Sequence, residues 1–222
     1  MKICAISDLH GTLPKIEKCD VLLIAGDITP HRFAEAWILK DFVKWINDLP
    51  CTHVIAVWGN HDFIGYNHPD IEKTLGKKTK QKIEFLNNET TTIYDDIGNS
   101  INIFGSPWCK IFGNWAFMIS DNMLQVMYDK MPKTCDIVLT HDAPAIGDIG
   151  IITQGRYAGE NAGNKVLAEI IKNRNVKYSI SGHIHSSNHT LETKKGSNTK
   201  FATVSILDEN YNHVYEPLYF EI

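Results

Sequence analysis

Aspartate, asparagine and histidine residues occur in five short blocks spread along the whole chain. Each block comes directly after a run of apolar residues, at the point where that run ends. The blocks are Asp8-Leu9-His10, Gly26-Asp27, Gly59-Asn60-His61-Asp62, His141-Asp142 and Gly182-His183-Ile184-His185. Carboxylate oxygens combined with imidazole nitrogens suit divalent transition metals such as Zn, Mn or Fe(II), whereas Mg and Ca prefer sets made nearly all of oxygen. If the blocks meet in space, they predict a site for two such ions.

Each block alone is also typical of an ordinary turn at the end of a strand, and Gly-Asp pairs are common turn residues. His183 and His185 are two positions apart, so on an extended segment their side chains face opposite sides. They reach one site only if the chain bends after Ser181-Gly182. A pair of cations about 3.5–4 Å apart needs a carboxylate that binds both. Asp27, at a strand end between the other blocks, is the candidate for that bridging ligand.

The apolar runs predict the strands that would position these blocks. Runs rich in Val, Ile and Leu indicate buried strands at 2–7, 21–25, 53–58, 101–104, 137–140 and 178–181. Two helices are predicted between strands: one begins with Thr29 as its N-cap and ends before Pro50, and the other covers 164–173. Strand-helix-strand order favours parallel strands, and ligands bind beyond the carboxyl ends of such strands. Segments 199–206 and 213–222 predict strands of a second sheet.

The composition is typical of one globular domain, which we expect to span 1–222. The chain has 222 residues, of which 43% are hydrophobic and 22% charged, and this argues against disordered, collagen-like and repeat classes. The net charge of −4 argues against broad electrostatic binding, so no stable nucleic-acid partner is expected. An anionic substrate would therefore need a local positive feature such as a metal ion.

The location of the protein is predicted from its apolar runs and its cysteines. The N-terminal apolar run ends at Asp8, which is too early for a signal peptide, and no run approaches the roughly 18 residues of a membrane span. The five cysteines are scattered and form no C-x-x-C pair, which suits reduced thiols. We expect a cytoplasmic protein without membrane contact.

In this order along the chain, the five blocks resemble the signature of calcineurin-like metallophosphoesterases. The resemblance covers nearly the whole chain, and within that superfamily the sequence is similar to the metallophosphoesterase-domain-containing (MPPED) branch. The segments that carry the branch resemblance are Phe104-Gly105-Ser106-Pro107-Trp108, Phe112-Gly113-Asn114-Trp115 and Pro217-Leu218-Tyr219-Phe220-Glu221-Ile222. The resemblance implies an α/β fold with four layers, αββα, in which two mixed sheets are flanked by helices.

The resemblance also implies a ligand for each position of a site that holds two divalent ions, Mn, Zn or Fe(II). Carried over residue by residue, the first ion would be bound by Asp8, His10 and His185, the second by Asn60, His141 and His183, and Asp27 would bridge them. His61 would then act as the general acid. Asp62 or another carboxylate would orient the His61 ring.

The activity implied by the resemblance is hydrolysis of a small phosphoric ester, in which a hydroxide that bridges the two ions attacks phosphorus. Phosphodiesters and phosphomonoesters both stay open as substrates, and the branch resemblance favours nucleotide or cyclic-nucleotide esters. Arg156 is a candidate phosphate clamp. Trp108 is a candidate platform for a substrate ring, together with Phe112 and Trp115.

Three alternatives differ from this interpretation. A nuclease or a phosphoprotein phosphatase would use the same superfamily site on a larger substrate. A non-catalytic scaffold with the same fold is disfavoured, because the Gly59-Asn60-His61-Asp62 block is complete.

Overall fold

Two large β-sheets form the centre of the computed structural model, which describes residues 1–222. The strands are β1 (Lys2–Ile6), β2 (Val21–Ala25), β3 (His53–Val57), β4 (Lys82–Phe85), β5 (Glu89–Tyr94), β6 (Ser100–Ser106), β7 (Cys109–Lys110), β8 (Met118–Ile119), β9 (Thr134–Thr140), β10 (Asn175–Ser181), β11 (Glu192–Thr193), β12 (Lys200–Thr203) and β13 (Leu218–Glu221). The helices are α1 (Ala34–Trp37), a π-helical segment (Ile38–Phe42), α2 (Val43–Asp48), α3 (Phe63–Asn67), α4 (Ile71–Lys78), α5 (Asp121–Tyr128) and α6 (Lys165–Lys172).

Both large sheets are mixed. The first has the order β13-β1-β2-β3-β4, in which β1 to β4 are parallel and β13 is antiparallel to β1. The second has the order β11-β12-β10-β9-β6-β5, in which β12, β10, β9 and β6 are parallel and the two edge strands are antiparallel. A small third sheet pairs β7 with β8. The parallel strands of each sheet therefore end at one edge, as the order of strands and helices in the sequence predicts.

The apolar runs are continuous because both faces of the central strands are buried. In β1, Ile3 and Ala5 belong to the core between the two sheets, while Cys4 and Ile6 belong to the core under the helices. The helices from α1 to α2 and α4 cover the first sheet, and α5 and α6 cover the second. These layers confirm the αββα fold. All five cysteines are buried and unpaired, and none of the helices has the length and apolar character needed to cross a membrane.

The predicted start of the first helix is wrong, and the second helix is confirmed. The first helix begins at Ala34, four residues after Pro30, and Phe33 precedes it with a φ of 59° and no capping side chain. Thr29 instead donates a hydrogen bond from Oγ1 to Asp62 Oδ1 at 2.9 Å. The second helix begins after Asn164, whose Oδ1 accepts a hydrogen bond from the backbone N–H of Leu167 at 2.9 Å.

Of the two C-terminal segments predicted to form strands of a second sheet, 199–206 is confirmed and 213–222 is wrong. Strand β12 pairs with β10 in the second sheet, but β13 returns to the edge of the first sheet and pairs with β1. The second sheet draws most of its strands from 89–181. The apolar pattern identifies these strands but carries no information on the sheet that each one joins.

Candidate metal centre

The five polar blocks meet because the strands before them end at one place, where the edges of the two sheets face each other. Blocks one to three follow β1, β2 and β3 of the first sheet, and blocks four and five follow β9 and β10 of the second. Hydrogen bonds join the blocks across this boundary. The backbone N–H of His183 donates to the Asp8 carboxylate at 3.1 Å, and His141 Nδ1 lies 2.8 Å from the carbonyl oxygen of Ala25.

Four residues of the blocks have positive φ angles, which are uncommon for residues other than glycine. The φ angles are 54° at Asp8, 43° at His10, 52° at Asp27 and 68° at His183. The turn at His183 is the bend that His183 and His185 need in order to face one cleft. Strained backbone of this kind clusters at binding and active sites, where the surrounding structure holds it in place.

Two glycines are required by the close approach of the blocks. A Cβ atom at Gly59 would collide with Asp27, and one at Gly182 would collide with Ser7 Oγ and with Asp8 Oδ2. Any larger residue at either position would displace a carboxylate of the cleft.

Asp8, His10 and His185 place one ligand atom each within 4.8 Å of one another. His185 Nδ1 lies 2.9 Å from the carbonyl oxygen of Asp208, which places a proton on Nδ1 and turns Nε2 toward Asp8. Nε2 of His185 is 3.4 Å from Asp8 Oδ1. His10 Nε2 is buried and has no hydrogen-bond partner. The hydrogen bond between His185 Nδ1 and a backbone carbonyl oxygen fixes the His185 ring, and such bonds are typical of metal-ligating histidines.

A second set of acceptor atoms surrounds His141. Its Nδ1 donates to the carbonyl oxygen of Ala25, so its Nε2 faces two side-chain oxygens. Nε2 is 2.9 Å from Asn60 Oδ1 and 3.4 Å from Asp27 Oδ1. The ring of His183 lies beside that of His141, with 5.1 Å between the ring centroids. Acceptor atoms that face one another at these distances are stable only around a proton or a metal cation.

Asp27 lies between the two sets. Its Oδ1 is 3.4 Å from His141 Nε2, and its Oδ2 is 3.6 Å from His10 Nε2. Asp8 also approaches both sets, since its carboxylate forms a second group within 4.8 Å with Asp27 and His141. The two groups of possible ligands therefore share Asp8, and the Asp27 carboxylate lies between them.

Against the effect of burial, the Asp27 carboxylate raises the pKa of His141 to about 10 and the Asp8 carboxylate raises the pKa of His185 to about 9, so a metal ion that binds these rings displaces a proton from each. Burial lowers the pKa of His10 to about 4 and that of His183 to about 3, so both rings are neutral near pH 7. Burial alone would raise the pKa of the two carboxyls, but His185 holds the pKa of Asp8 at about 2 and His141 holds the pKa of Asp27 well below its usual range. Neutral imidazole and ionised carboxylate are the forms that bind metal.

The His61 ring lies at the side of the same cleft. Its centroid is 4.9 Å from that of His10 and 4.4 Å from that of Trp115, and its backbone N–H donates to Asp27 Oδ1 at 2.8 Å. Burial lowers the pKa of the His61 imidazole. No hydrogen bond holds the ring nitrogens, so the ring is free to exchange a proton with a molecule in the cleft.

Asp62 lies below the cleft and is fully buried. Its oxygens accept hydrogen bonds from the backbone N–H groups of Ile28, Thr29 and Gly59 at 2.9 to 3.0 Å, and from the Thr29 hydroxyl. The Asp62 carboxylate therefore links the turn after β2 to the turn after β3 by hydrogen bonds. These bonds give Asp62 a positioning role, and its predicted part in orienting His61 stays a prediction.

Asp62→Asn should destabilise the fold, because the amide –NH₂ would face backbone N–H groups that now donate to Oδ1 or Oδ2. Leaving such donors unsatisfied costs about 1–3 kcal/mol each, so we expect a loss of about 2–4 kcal/mol and a fall in Tm of about 5–10 °C. Thermal and urea unfolding measure the change. Asp41→Asn, at an exposed aspartate, is the control. An unchanged Tm in Asp62→Asn would contradict the positioning role.

A cavity of about 280 Å³ opens onto the two sets of ligand atoms. Its lining is Asp27, Asn60, His61, Phe112, Trp115, His183, His185, Glu209 and Tyr211. The predicted rim residues Phe112 and Trp115 are part of this lining. Trp108 is not, since its Nε1 donates to Asn87 Oδ1 at 2.9 Å and its ring packs on Phe117. Arg156 lies outside the lining too, with its guanidinium 5.6 Å from the centroid of the Tyr157 ring.

Two lining residues, Glu209 and Tyr211, were not identified from the sequence. The Tyr211 ring lies 4.9 Å from the His10 ring and 5.3 Å from the His185 ring. The segment 208–211 reads as a turn between two strands, and no strand-end block marks it. It reaches the cleft through the contact between the Asp208 carbonyl and His185, which depends on tertiary structure.

The chain matches known proteins along most of its length. Residues 1–187 match the family model of the calcineurin-like phosphoesterases. Metallophosphoesterase domain-containing protein 1 of Homo sapiens is 23% identical over 240 residues, which covers the whole of this chain and 71% of that protein. Probable rhamnogalacturonate lyase C of Emericella nidulans is 28% identical over 149 residues, which covers 65% of this chain but only 14% of that protein. The crystal structure of the phosphopantetheinyl hydrolase PptH from Mycobacterium tuberculosis aligns with a TM-score of 0.57 at 16% identity, over 95% of this chain and 90% of that chain, and so shares the fold.

Proposed function

This chain belongs to the calcineurin-like phosphoesterase family, and on that premise we propose that it hydrolyses small phosphate esters with the help of two divalent metal ions. One observation carries the proposal. His141 Nε2 lies 2.9 Å from Asn60 Oδ1 and 3.4 Å from Asp27 Oδ1, so three buried atoms of the kinds that bind metal face one another. Such a contact is satisfied by a cation.

The donor set fits Mn, Zn or Fe(II) better than Mg or Ca, because it contains four imidazoles. We assign Asp8, His10 and His185 to the first ion and Asn60, His141 and His183 to the second, with Asp27 between them. The buried Nε2 of His10, which has no partner in the protein, supports the first assignment. Bound there, the ions would lower the pKa of water and offset the charge on phosphoryl oxygens.

The other residues of the cleft would orient the ester and supply its proton. His61 would donate a proton from its ring to the departing ester oxygen, and its backbone bond to Asp27 keeps the ring beside the ligand cluster. Trp115 packs against the His61 ring, with 4.4 Å between the ring centroids. The exposed faces of Phe112 and Tyr211 offer apolar contacts for a planar leaving group, which suits a nucleotide.

Hydrolysis of bis(p-nitrophenyl) phosphate by the Mn²⁺-loaded protein tests the proposal. We expect kcat on the order of 1 s⁻¹, within the ordinary range for enzymes. A chelator should abolish turnover and added Mn²⁺ should restore it. Absence of hydrolysis with Mn²⁺, Zn²⁺ and Fe²⁺ alike would contradict the proposal and would favour a non-catalytic scaffold.

A further inference from the structure

Glu209 is the one carboxylate of the cavity lining outside the proposed ligand set, and no lysine or arginine lines the cavity. We propose that Glu209 acts as a charge filter that selects phosphodiesters over phosphomonoesters. This inference rests on the proposed function and deepens it, since it distinguishes the two ester classes that the sequence leaves open.

Glu209 is held in place beside the ligands. Its Oε1 accepts hydrogen bonds from the hydroxyl of Ser186 at 2.7 Å and from the backbone N–H of Ser186 at 3.2 Å. Ser186 follows His185 directly and is buried. Its Oγ in turn accepts hydrogen bonds from the backbone N–H groups of Thr153 and Gln154 at 3.1 and 3.3 Å. The negative charge of Glu209 is thus fixed at the cleft rather than carried on a mobile side chain.

The charge of Glu209 acts differently on the two ester classes. A phosphodiester carries one negative charge, whereas a phosphomonoester carries about −1.5 to −2 at pH 7. The extra charge lies on a third terminal oxygen, which a diester replaces by a neutral ester oxygen. Lys110 does not line this cavity, and its Nζ donates to the Gly163 carbonyl oxygen at 3.1 Å. A monoester dianion bound in this cavity would therefore meet the Glu209 carboxylate with no lysine or arginine in the lining.

A second cavity gives the extra ester group of a diester a place to bind. This cavity has a volume of about 530 Å³ and shares Phe112, His183 and Glu209 with the first. Its other walls include the apolar side chains of Ile152 and Ile184 and the charged side chains of Lys110 and Glu160. Glu209 therefore stands where the two cavities join, and in this proposal the second substituent of a diester would pass it to enter the second cavity.

Glu209→Gln is the matched test, because a glutamine Oε1 can still accept both hydrogen bonds from Ser186 while the charge is lost. The probes are phenylphosphonate, a dianion, and methyl(phenyl)phosphinate, a monoanion in which a methyl group replaces one terminal oxygen. Neither is hydrolysed. Binding to the Mn²⁺-loaded protein is measured by calorimetry at a pH where the phosphonate is fully ionised. Glu216→Gln, at an exposed residue of the same C-terminal segment, is the control.

We expect Glu209→Gln to lower the Kd of phenylphosphonate about tenfold, as removal of a unit charge a few ångströms from another predicts in a partly hydrated site. The Kd of the phosphinate, which carries half the charge, should fall only about threefold or less, and Glu216→Gln should change neither. In parallel, the ratio of kcat/KM for methyl p-nitrophenyl phosphate to that for p-nitrophenyl phosphate should fall by a similar factor in Glu209→Gln alone.

Other outcomes would overturn one inference or both. Equal changes in the two Kd values, or none, would overturn the charge filter even if both esters are hydrolysed. The expected Kd pattern without hydrolysis of either ester would support the filter and contradict the proposed function. If the wild-type protein binds neither anion, both the charge filter and the proposed function are contradicted.

Discussion

Asp27→Asn is expected to remove bound metal and hydrolytic activity together. Asp27 is the carboxylate whose two oxygens face both sets of ligand atoms, at 3.4 Å from His141 Nε2 and 3.6 Å from His10 Nε2. Asparagine has the same shape and tolerates the positive φ of this position, so the fold should be kept. The amide has no charge to hold two cations close together. We expect turnover to fall about 10³-fold, which corresponds to about 4 kcal/mol of transition-state stabilisation.

Elemental analysis of the purified protein after dialysis, with rates on bis(p-nitrophenyl) phosphate, measures both effects. Asp41→Asn, which removes an exposed carboxylate, should keep the metal content and the rate of the wild type. Two ions per chain in Asp27→Asn would contradict the bridging role, whatever the rate. Wild-type turnover in a protein that holds only one ion would contradict the requirement for a pair.

The parts of the fold that depend on burial could be predicted from the sequence. Strand β2 lies at 21–25 as predicted, and β1 and β3 each end one residue earlier than predicted, because both faces of these strands are covered and the apolar run has the length of the strand. Short parallel strands also have a common edge, so polar residues after them collect there. This common edge is why the sequence alone predicts one site for the five blocks.

Some features of the fold and of the cleft depend on contacts between residues that are far apart in the sequence. These features could not be predicted from the local sequence. The Thr29-Pro30 pair is typical of a helix start, but the Thr29 hydroxyl and N–H donate to Asp62, which is 33 residues away. Strand β5 is rich in threonine and largely exposed on one face, so it lacks an apolar run. Glu209 reaches the cleft through Ser186. Its local sequence shows only a turn.

His61→Ala should keep both metal ions and lose most turnover on esters with poor leaving groups. The His61 ring makes no hydrogen bond to the protein, and its link to the ligand cluster is the backbone N–H that donates to Asp27 Oδ1, which alanine retains. Loss of a general acid typically costs about 10²–10⁴-fold. Nitrophenolate leaves without a proton, whereas phenolate needs one. The loss should therefore be near the top of this range for phenyl esters and at least tenfold smaller for nitrophenyl esters.

Rates on phenyl and p-nitrophenyl esters, together with metal content, separate a proton donor from a metal ligand. Loss of a ligand would remove metal and slow both esters. Loss of an acid would leave the metal in place and slow the phenyl ester more.

Burial lowers the pKa of the His61 imidazole, which makes its protonated form a stronger acid toward the departing oxygen. His68→Ala, at an exposed ring outside the cavity, should behave as the wild type. Equal slowing of the two esters in His61→Ala would assign His61 to another role, such as support of the cleft wall beside Trp115.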